Sequence, residues 1–487
     1  MRNSFSPGAV LRYPVSFINP WANPMVGHEN PVTPQPRRQL HVGHAAAVCV
    51  GMVIGAGIFR TSPEVAAHLD QPSTLMLAWA IGGILSLIGG LCFAEMSSAF
   101  PDTGGDYHFL RMAYGQRIAV LFAWSRFSVI HTGSIALLAF VFGDYLNQLI
   151  PLGAYGSPVF GALLITSLVL MNLRGLSVGI GAQFVLMLLV LAGLVILGIA
   201  GIHLAAGGHQ PLPPPVDAVP VVLGVAGFGQ AMVYVLLAYG GWSDAATLSA
   251  EMRDPKRGMP LALAGGLATV FALYLWVNWA YLQGLGFYGL AHSQAPAADL
   301  MRTAFGHPGE VLIVTIVAIT SISVMNALLL AGSRTTYATA RDLQALGNVG
   351  RWDGEKGVPR GAMIAMGAVS MLLVGFGTLT RGGFSTMVDY LSPVYWFFLM
   401  LSGIAVIRLR RRYPDAPRPF RVPLYPVLPL LFAASSAYLF YSSLAYVKLG
   451  AMIGVGVIVL GAVLLWPLMH WHQKRRAQDL PEAERRP

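Results

Sequence analysis

Charged residues are scarce in this sequence. They make up 11% of its 487 residues, whereas about a quarter of the residues are charged in a typical soluble domain. Hydrophobic residues make up 55%, and the mean hydropathy is +0.62. The low charge content excludes an ordinary water-soluble domain, and the hydropathy predicts a chain that lies largely in a lipid bilayer.

The sequence has little cysteine and no recognisable N-terminal signal peptide. Cys49 and Cys92 are the only cysteines, and both fall in apolar stretches, so we expect no disulfide, no thiol chemistry and no disulfide-linked partner. The first forty residues are rich in Pro and Asn and lack the apolar core of a signal peptide. We therefore predict a flexible cytoplasmic tail at 1–40.

The sequence also lacks the residue sets that a membrane-embedded enzyme needs. We find no nucleophile with a base and no paired acidic motif within the apolar segments. Histidines pair at 41 and 44 and again at 470 and 472, but they lie at membrane borders without nearby carboxylates. We accordingly predict no enzymatic activity, no metal ion and no cofactor, and paired breaks in the helices favour an occluded site over a channel.

Apolar segments long enough to cross a bilayer recur along the chain. A crossing needs roughly 20 apolar residues, and twelve candidates meet that need, so we predict an all-α polytopic membrane protein of twelve transmembrane helices. The candidates are residues 42–66, 75–98, 116–147, 158–173, 178–204, 225–250, 260–288, 309–338, 361–379, 385–408, 425–446 and 449–471.

The positive charges mark the topology of these segments. The net charge is +10, but Lys and Arg lie at segment ends, which argues against nucleic-acid binding and follows the excess of basic residues in cytoplasmic loops. With twelve crossings, both termini fall on the basic, cytoplasmic side of the cytoplasmic (inner) membrane. The cytoplasmic set is Arg37, Arg38, Arg253, Lys256, Arg257, Arg341, Arg351, Lys356, Arg360, residues 408–421 and residues 474–486, against Arg60, Arg302, Arg381 and Lys448 outside.

Two predicted helices carry glycine-rich interruptions in mid-membrane. They are GMVIGAGIF at 51–59 in the first helix and AYGGW at 238–242 in the sixth. Breaks in matching helices of two inverted halves indicate a transport site. We predict the halves at 41–204 and 225–408, two further helices at 425–471 and a cytoplasmic tail at 472–487. The alternative is that these glycines only let helices pack closely.

An unwound helix in mid-membrane suits a zwitterionic ligand. The start of the outer half-helix offers free N–H groups and a positive dipole end to an anion. Carbonyl groups at the end of the other half attract an ammonium group. An α-amino acid carries both charges a few ångströms apart, and a side chain at Gly55 or Gly57 would hold its carboxylate away from the backbone.

Several short motifs follow one another over most of residues 42–470. They are GAGIF (55–59), FAEM (93–96), FPDTGGDY (100–107), YGGW (239–242), EMRDP (251–255), SR (333–334), ARD (340–342) and PRPFRVP (417–423). In this order and spacing they resemble the amino acid/polyamine/organocation superfamily, and within it the bacterial relatives of the L-type amino acid transporters.

The resemblance implies a leucine-transporter-like fold of five plus five helices, with helices one and six broken and two helices added. It implies N–H donors to the substrate carboxylate at Ala56 and Gly57, carbonyl acceptors for the amine at Val53, Ile54 and Leu237, and space for the substrate at Gly240. The implied substrate-binding set is Val53, Ile54, Gly55, Ala56, Gly57, Ile58, Leu237, Ala238, Tyr239, Gly240, Gly241 and Trp242. The chain departs from many relatives at Ala56, where they have a hydroxyl residue, and at Leu237, where they have an aromatic gate.

The driving force of transport is open at this point. Several superfamily members carry a lysine in the fifth helix in place of sodium, but segment 178–204 has no lysine, and Met187 aligns there. Candidate coupling or gating residues are Arg126, His131, Asp244 and Glu251. For each of them the alternative is a structural ion pair or a packed hydrogen-bonding residue.

Three functional hypotheses therefore remain. Neutral amino acids are favoured as substrates because the segments at the breaks are apolar. Cationic amino acids or polyamines are the second candidates, with Asp244 receiving the cation, and a membrane sensor that binds an amino acid without moving it is the third. The expected partners are the amino acid substrate, the lipid bilayer, and a proton or a counter-transported amino acid, while the need for an accessory subunit is open.

Overall fold

The computed structural model describes residues 41–55, 57–102, 104–175, 180–211, 224–250, 252–343, 350–351, 353, 358–445 and 449–479. Within these residues the regular structure is helical, with an isolated β-bridge between Asp353 and Val358. The α-helices are α1 Val42–Val53, α2 Ile58–Ala67, α3 Pro72–Ala99, α4 Asp106–Tyr114, α5 Gln116–Ser125, α6 Thr132–Leu149, α7 Gly156–Leu173, α8 Ile180–Ala206, α9 Gly224–Ala238, α10 Pro255–His292, α11 Pro296–Leu343, α12 Arg360–Leu379, α13 Phe384–Arg412, α14 Val427–Ala445 and α15 Leu449–Asp479.

Most of these helices have the length and composition of membrane spans. Ten described spans pass by length and hydropathy, and the pair Ala45–Val53 and Ile58–Ala67, bent by 47°, would make an eleventh. Large apolar side chains on the outer surface stay exposed, as at Leu372 (74%) and Leu379 (85%), which is costly in water but not in lipid. An all-α multi-pass membrane protein is thus confirmed, while the count of twelve and the two-repeat division stay predictions.

Differences from the predicted segments have local causes. Helix α11 begins at Pro296, well before the predicted 309. The prediction missed its first turns because they are polar and a kink at Gly306 (φ 68°) separates them from the apolar part. Helix α10 begins at Pro255, where the Asp254 side chain accepts a hydrogen bond from the Lys256 N–H. Helix α4 was not predicted, because it has only 9 residues and a mixed polar sequence.

An aromatic cluster from three helices forms the rigid centre of the bundle. Trp79 of α3 and Tyr274 of α10 meet edge to face with centroids 5.5 Å apart, and Tyr239, just after α9, lies 4.9 Å from Tyr274. All three are fully buried. The Tyr239 hydroxyl also donates to the Trp79 carbonyl at 3.2 Å. Rings this large and this tightly packed fix the helices on which they sit.

The bundle has two ends, which we name after their arginines. At the Arg410 end, Arg410 of α13 donates to both carboxylate oxygens of Glu95 at 2.7 and 2.6 Å, and the Val422 N–H donates to the same carboxylate. Glu95 is therefore a structural residue of α3 that holds α13 and the Val422 segment at this end. The opposite, Arg60 end holds the start of α2 and the α10–α11 connection.

Candidate functional site

The first interruption separates α1 from α2. Helix α1 ends at Val53, and Ile54 leaves the helical conformation (φ −77°, ψ 79°). Helix α2 begins at Ile58, after Gly57. The Val53 carbonyl accepts a local hydrogen bond from the Gly55 N–H at 2.8 Å, whereas none of the described residues donates to the Ile54 carbonyl. Ala56 lies outside the described residues.

The second interruption follows α9. That helix ends at Ala238, residues 239–243 form turns, and a 3₁₀ segment runs from Asp244 to Ala250. Gly241 has φ +97°, a conformation that side chains disfavour. The Leu237 carbonyl accepts one hydrogen bond, from the Gly240 N–H at 3.0 Å. Its second lone pair stays available.

The two interruptions lie against each other. A Cβ atom on Gly241 would overlap the Met52 carbonyl oxygen, so glycine permits this approach. The Tyr274 hydroxyl lies 3.3 Å from the Val53 oxygen and 3.1 Å from the Ala238 oxygen, within hydrogen-bonding reach of both breaks. Sequence reasoning missed Tyr274, because nothing in its own segment marks it as a partner of the glycine motifs.

Open space borders the first interruption. A Cβ atom on Gly57 would meet no atom within 4 Å, and one on Gly55 would meet only the Gly57 nitrogen at 4.0 Å. Gly240, across the second break, is more confined, since its Cβ would lie 2.9 Å from the Tyr395 hydroxyl. The space therefore lies beside the N-terminal end of α2, where helical N–H groups are unsatisfied.

The predicted site residues divide into two groups. Val53, Ile54, Leu237 and Ala238 supply backbone at the breaks. The side chains of Tyr239 and Trp242, in contrast, pack into the bundle, and the Trp242 ring meets Phe93 edge to face at 5.1 Å. Ile58 is fully buried. The aromatic side chains of Tyr239 and Trp242 therefore pack within the bundle in this structure.

A polar cluster lies next to the second break. Arg126 donates to the Asp244 carboxylate at 2.7 Å and lies 3.0 Å from the His131 ring nitrogen Nε2. The Arg126 side chain is 16% exposed and that of Asp244 38%. The Tyr395 hydroxyl of α13 and the Asp106 carboxyl of α4 are buried beside this pair. Among the predicted coupling residues, the structure thus joins Arg126, His131 and Asp244, while Glu251 lies outside the described residues.

A π-helical segment explains how Arg126 reaches His131. Residues Arg126–His131 form one turn of π-helix between α5 and α6. In an α-helix, residues five apart point about 140° away from each other. The i to i+5 winding of a π-helix instead places them above one another. The Tyr390 hydroxyl supports the turn by donating to the Ser128 carbonyl at 2.7 Å.

Met187 of α8 lies beside the first helix. Its Cγ atom is 3.2 Å from where a Gly51 Cβ would stand, two residues before α1 ends. The position that the sequence aligned with a coupling lysine therefore carries an uncharged thioether close to the first interruption.

Polar contacts join several helices at the Arg60 end. Arg60 of α2 donates to Asp144 of α6 at 3.2 Å, and its guanidinium lies 5.2 Å from the centre of the Phe384 ring. The Tyr145 hydroxyl donates to the Phe59 carbonyl at 2.6 Å and accepts from the Ala297 N–H at 3.2 Å. Four helices are joined at this end, while Asp244, on the other side of the breaks, keeps 38% of its side chain exposed.

A multi-pass helical membrane protein with two apposed helix breaks has the architecture of a carrier. The chain belongs to the amino acid permease family, whose profile matches residues 40–466. It is a membrane transport protein of that family and not an enzyme.

Individual relatives span nearly the whole chain. The serine/threonine exchanger of Bacillus subtilis is 28% identical over 447 residues, which cover 91% of this chain and 98% of that protein. The b(0,+)-type amino acid transporter 1 of Homo sapiens is 27% identical over 422 residues, covering 84% and 83%. The cystine/glutamate transporter of Homo sapiens is 25% identical over 446 residues, covering 91% and 87%.

Proposed function

We propose that this protein exchanges neutral amino acids across the cytoplasmic membrane and binds their amino and carboxyl groups at the two helix breaks. The observation that carries the proposal is the contact between the breaks at Gly241 and Met52, beside the open space at Gly55 and Gly57. A zwitterion needs an anion site and a cation site a few ångströms apart, and two half-helix ends in contact supply both.

The carboxylate site is assigned to the start of α2. Gly57 has a helical conformation, and its Cβ direction is unobstructed, so a carboxylate could approach the N–H groups of the first turn as a capping side chain does. Ala56, the other donor implied by the sequence motif, has no hydroxyl to add. The interaction is therefore with the backbone and independent of the substrate side chain.

The amine site is assigned to backbone carbonyls, foremost those of Ile54 and Leu237. The Val53 oxygen was predicted as a third acceptor, but it already accepts from the Gly55 N–H and lies within reach of the Tyr274 hydroxyl. A carbonyl oxygen has two lone pairs, so Val53 has less capacity for a substrate ammonium group than the other two.

Neutral substrates are favoured over cationic amino acids or polyamines by the pairing of Asp244. Its carboxylate, the one proposed to receive a substrate cation, is bound to Arg126 at 2.7 Å. A substrate cation would have to compete with a charge-assisted hydrogen bond. The name of the Bacillus subtilis relative, an exchanger of serine and threonine, supports the same class of substrate.

Exchange is supported by the name of the Bacillus subtilis relative, and Met187 beside Gly51 offers no titratable group for proton coupling at the first break. Cys49 and Cys92 are buried, which disfavours a disulfide-linked accessory subunit.

We further assign the Arg60 end to the outside and both termini to the cytoplasm, from the distribution of basic residues. In that orientation the Arg60–Asp144 pair closes the outer path.

The test is an uptake panel in proteoliposomes. Serine, threonine and leucine are compared with lysine, arginine and putrescine, with and without imposed sodium and proton gradients. We expect neutral amino acids to exchange without a sodium gradient. Exclusive movement of cations would refute the neutral assignment, and binding without movement of any amino acid would identify a sensor.

A further inference from the structure

The Asp106 carboxyl group has an unusual environment for a residue at the end of a membrane bundle. Asp106 is the first residue of α4 at the Arg410 end, between the spans α3 and α5. The residue is 7% exposed, and its Oδ1 atom is buried without a hydrogen-bond partner among the described residues. Gly105, at φ +50°, makes the turn that directs the chain into this position.

The charges around Asp106 do not balance when it is ionised. Arg126, from the π-helical segment, is matched by Asp244 at 2.7 Å, and His131 meets the cluster through Arg126. The Tyr395 hydroxyl of α13 is buried beside both carboxylates, and the Ser243 side chain lies within hydrogen-bonding reach of this hydroxyl and of Asp106. One guanidinium thus faces two carboxylates, which leaves one surplus negative charge inside the protein.

No other cation of the described residues compensates this charge. The arginines of α13 that touch α4 do so at its opposite end, where Arg412 donates to the Met112 carbonyl and Arg408 lies over the Tyr114 ring. A buried charge without a partner is unfavourable, and a carboxyl group responds by taking up a proton. The pKa of Asp106 is raised from 3.8 to about 7: burial raises it most, Arg126 lowers it, Asp244 raises it further, and a hydrogen bond with the Ser243 side chain lowers it.

The turn that precedes Asp106 also packs against the segment that follows the second break. A Cβ atom on Gly105 would lie 2.8 Å from the Thr247 side chain and 3.6 Å from its backbone nitrogen. The turn before Asp106 therefore packs directly on the segment Asp244–Ala250. Displacement of that segment would remove Asp244 and part of the cover over Asp106, and water would enter.

We propose that Asp106 is a proton-binding site whose occupancy is linked to the position of the segment Asp244–Ala250. In the arrangement seen here the carboxyl group holds the proton on one oxygen. When the segment moves and water reaches the group, the O–H bond breaks and the proton passes to water. Its effect on transport rests on the proposed function, since the moving segment is part of the substrate site, but the proton site itself does not.

The sign of the pH dependence follows from linkage. A group whose pKa is higher in one arrangement stabilises that arrangement at low pH, and the stabilisation is lost as the pH rises through the higher value. With full hydration in the displaced arrangement, the ordinary value of 3.8 and the raised value near 7 make the present arrangement up to roughly a hundredfold more favoured at pH 5 than at pH 8.

The direct test is infrared difference spectroscopy of the purified protein between pH 5 and 8, without substrate. We expect a protonated carboxyl band that titrates near neutral pH, disappears in Asp106→Asn and remains in Asp415→Asn, a control that removes an exposed carboxylate at the same end. A band that persists in Asp106→Asn, or its absence from the wild type, would overturn the proposal. If Asp106→Asn does not fold, Asp106→Glu is measured instead. We expect it to shift the titration midpoint of the band, and an unshifted midpoint would also overturn the proposal.

Counterflow of a neutral amino acid, measured over the same pH range with equal pH on both sides, separates this proposal from the proposed function. We expect the wild-type rate to change with pH by up to the factor given above, and Asp106→Asn to be active and nearly independent of pH. A wild type inactive in counterflow but with the titrating band would refute the transport function and leave the proton site standing. An Asp106→Asn variant with the wild-type pH profile would refute the link between the proton and transport.

Discussion

Replacing Gly57 by valine should abolish substrate binding and leave the fold intact. The Gly57 backbone is right-handed helical (φ −57°, ψ −40°), so a β-branched residue fits it, and its Cβ would meet no atom within 4 Å. The added methyl groups would instead fill the space where we place the substrate carboxylate. Folding is therefore insensitive to this change while binding is not.

The size of the loss follows from the hydrogen bonds at the start of α2. Two N–H groups that donate to a carboxylate contribute about 1.5–3 kcal/mol each. Their loss totals roughly 3–6 kcal/mol, which weakens affinity by roughly 10² to 10⁴. The assay is equilibrium binding of a radiolabelled neutral amino acid to purified protein, with thermal unfolding in detergent measured in parallel.

Gly265→Val is the matched control. Gly265 lies in α10, and its Cβ direction is likewise free of atoms within 4 Å, but it is remote from both breaks in sequence and is exposed on the bundle surface. We expect it to bind and unfold like the wild type. Wild-type affinity in Gly57→Val would refute a carboxylate site at the start of α2.

Three further changes probe the parts around the breaks. Arg126→Met leaves Asp244 without its partner and should destabilise the protein by about 1–3 kcal/mol. This is less than for a fully buried pair, because Asp244 is 38% exposed. Adding Asp244→Asn should restore the unfolding temperature, and a double variant that stays destabilised would contradict the pairing. Asp144→Asn removes the partner of Arg60 and should raise the exchange rate in proteoliposomes if opening of the Arg60 end limits turnover, whereas an unchanged rate would argue against a gate. Tyr274→Phe removes the hydroxyl that reaches both breaks and should cost about 1 kcal/mol of stability and roughly tenfold in substrate affinity; wild-type affinity would show that Tyr274 does not position the breaks.

The features that sequence reasoning predicted are those set by composition and by local chain geometry. Apolar segments locate the helices because a bilayer requires about 20 apolar residues per crossing. The glycine motifs locate the breaks because Gly241 adopts a positive φ that other residues disfavour. Arg126 and Asp244 were singled out because a charge in an apolar segment needs a partner, and the structure pairs them.

The features that sequence reasoning missed depend on contacts between distant segments or on small changes of helical winding. The sequence of Arg126–His131 does not show that the helix widens there to a π-turn, so the contact between Arg126 and His131 could not be predicted. Asp106 was noted only as part of a motif, because its burial depends on segments distant in sequence, such as Thr247, which contacts the preceding Gly105, and the segment of Arg126. Tyr274 belongs to no motif in its own helix, and only the folded chain shows that its hydroxyl reaches both breaks.

Counterflow tests the central claim most directly. Proteoliposomes that contain the purified protein are loaded with unlabelled serine, threonine or leucine, and entry of the labelled amino acid is followed without any ion gradient. We predict rapid entry in loaded vesicles, little in empty ones, and none above background with Gly57→Val. Equal entry with and without internal amino acid, or entry supported by Gly57→Val at the wild-type rate, would contradict exchange at the apposed helix breaks.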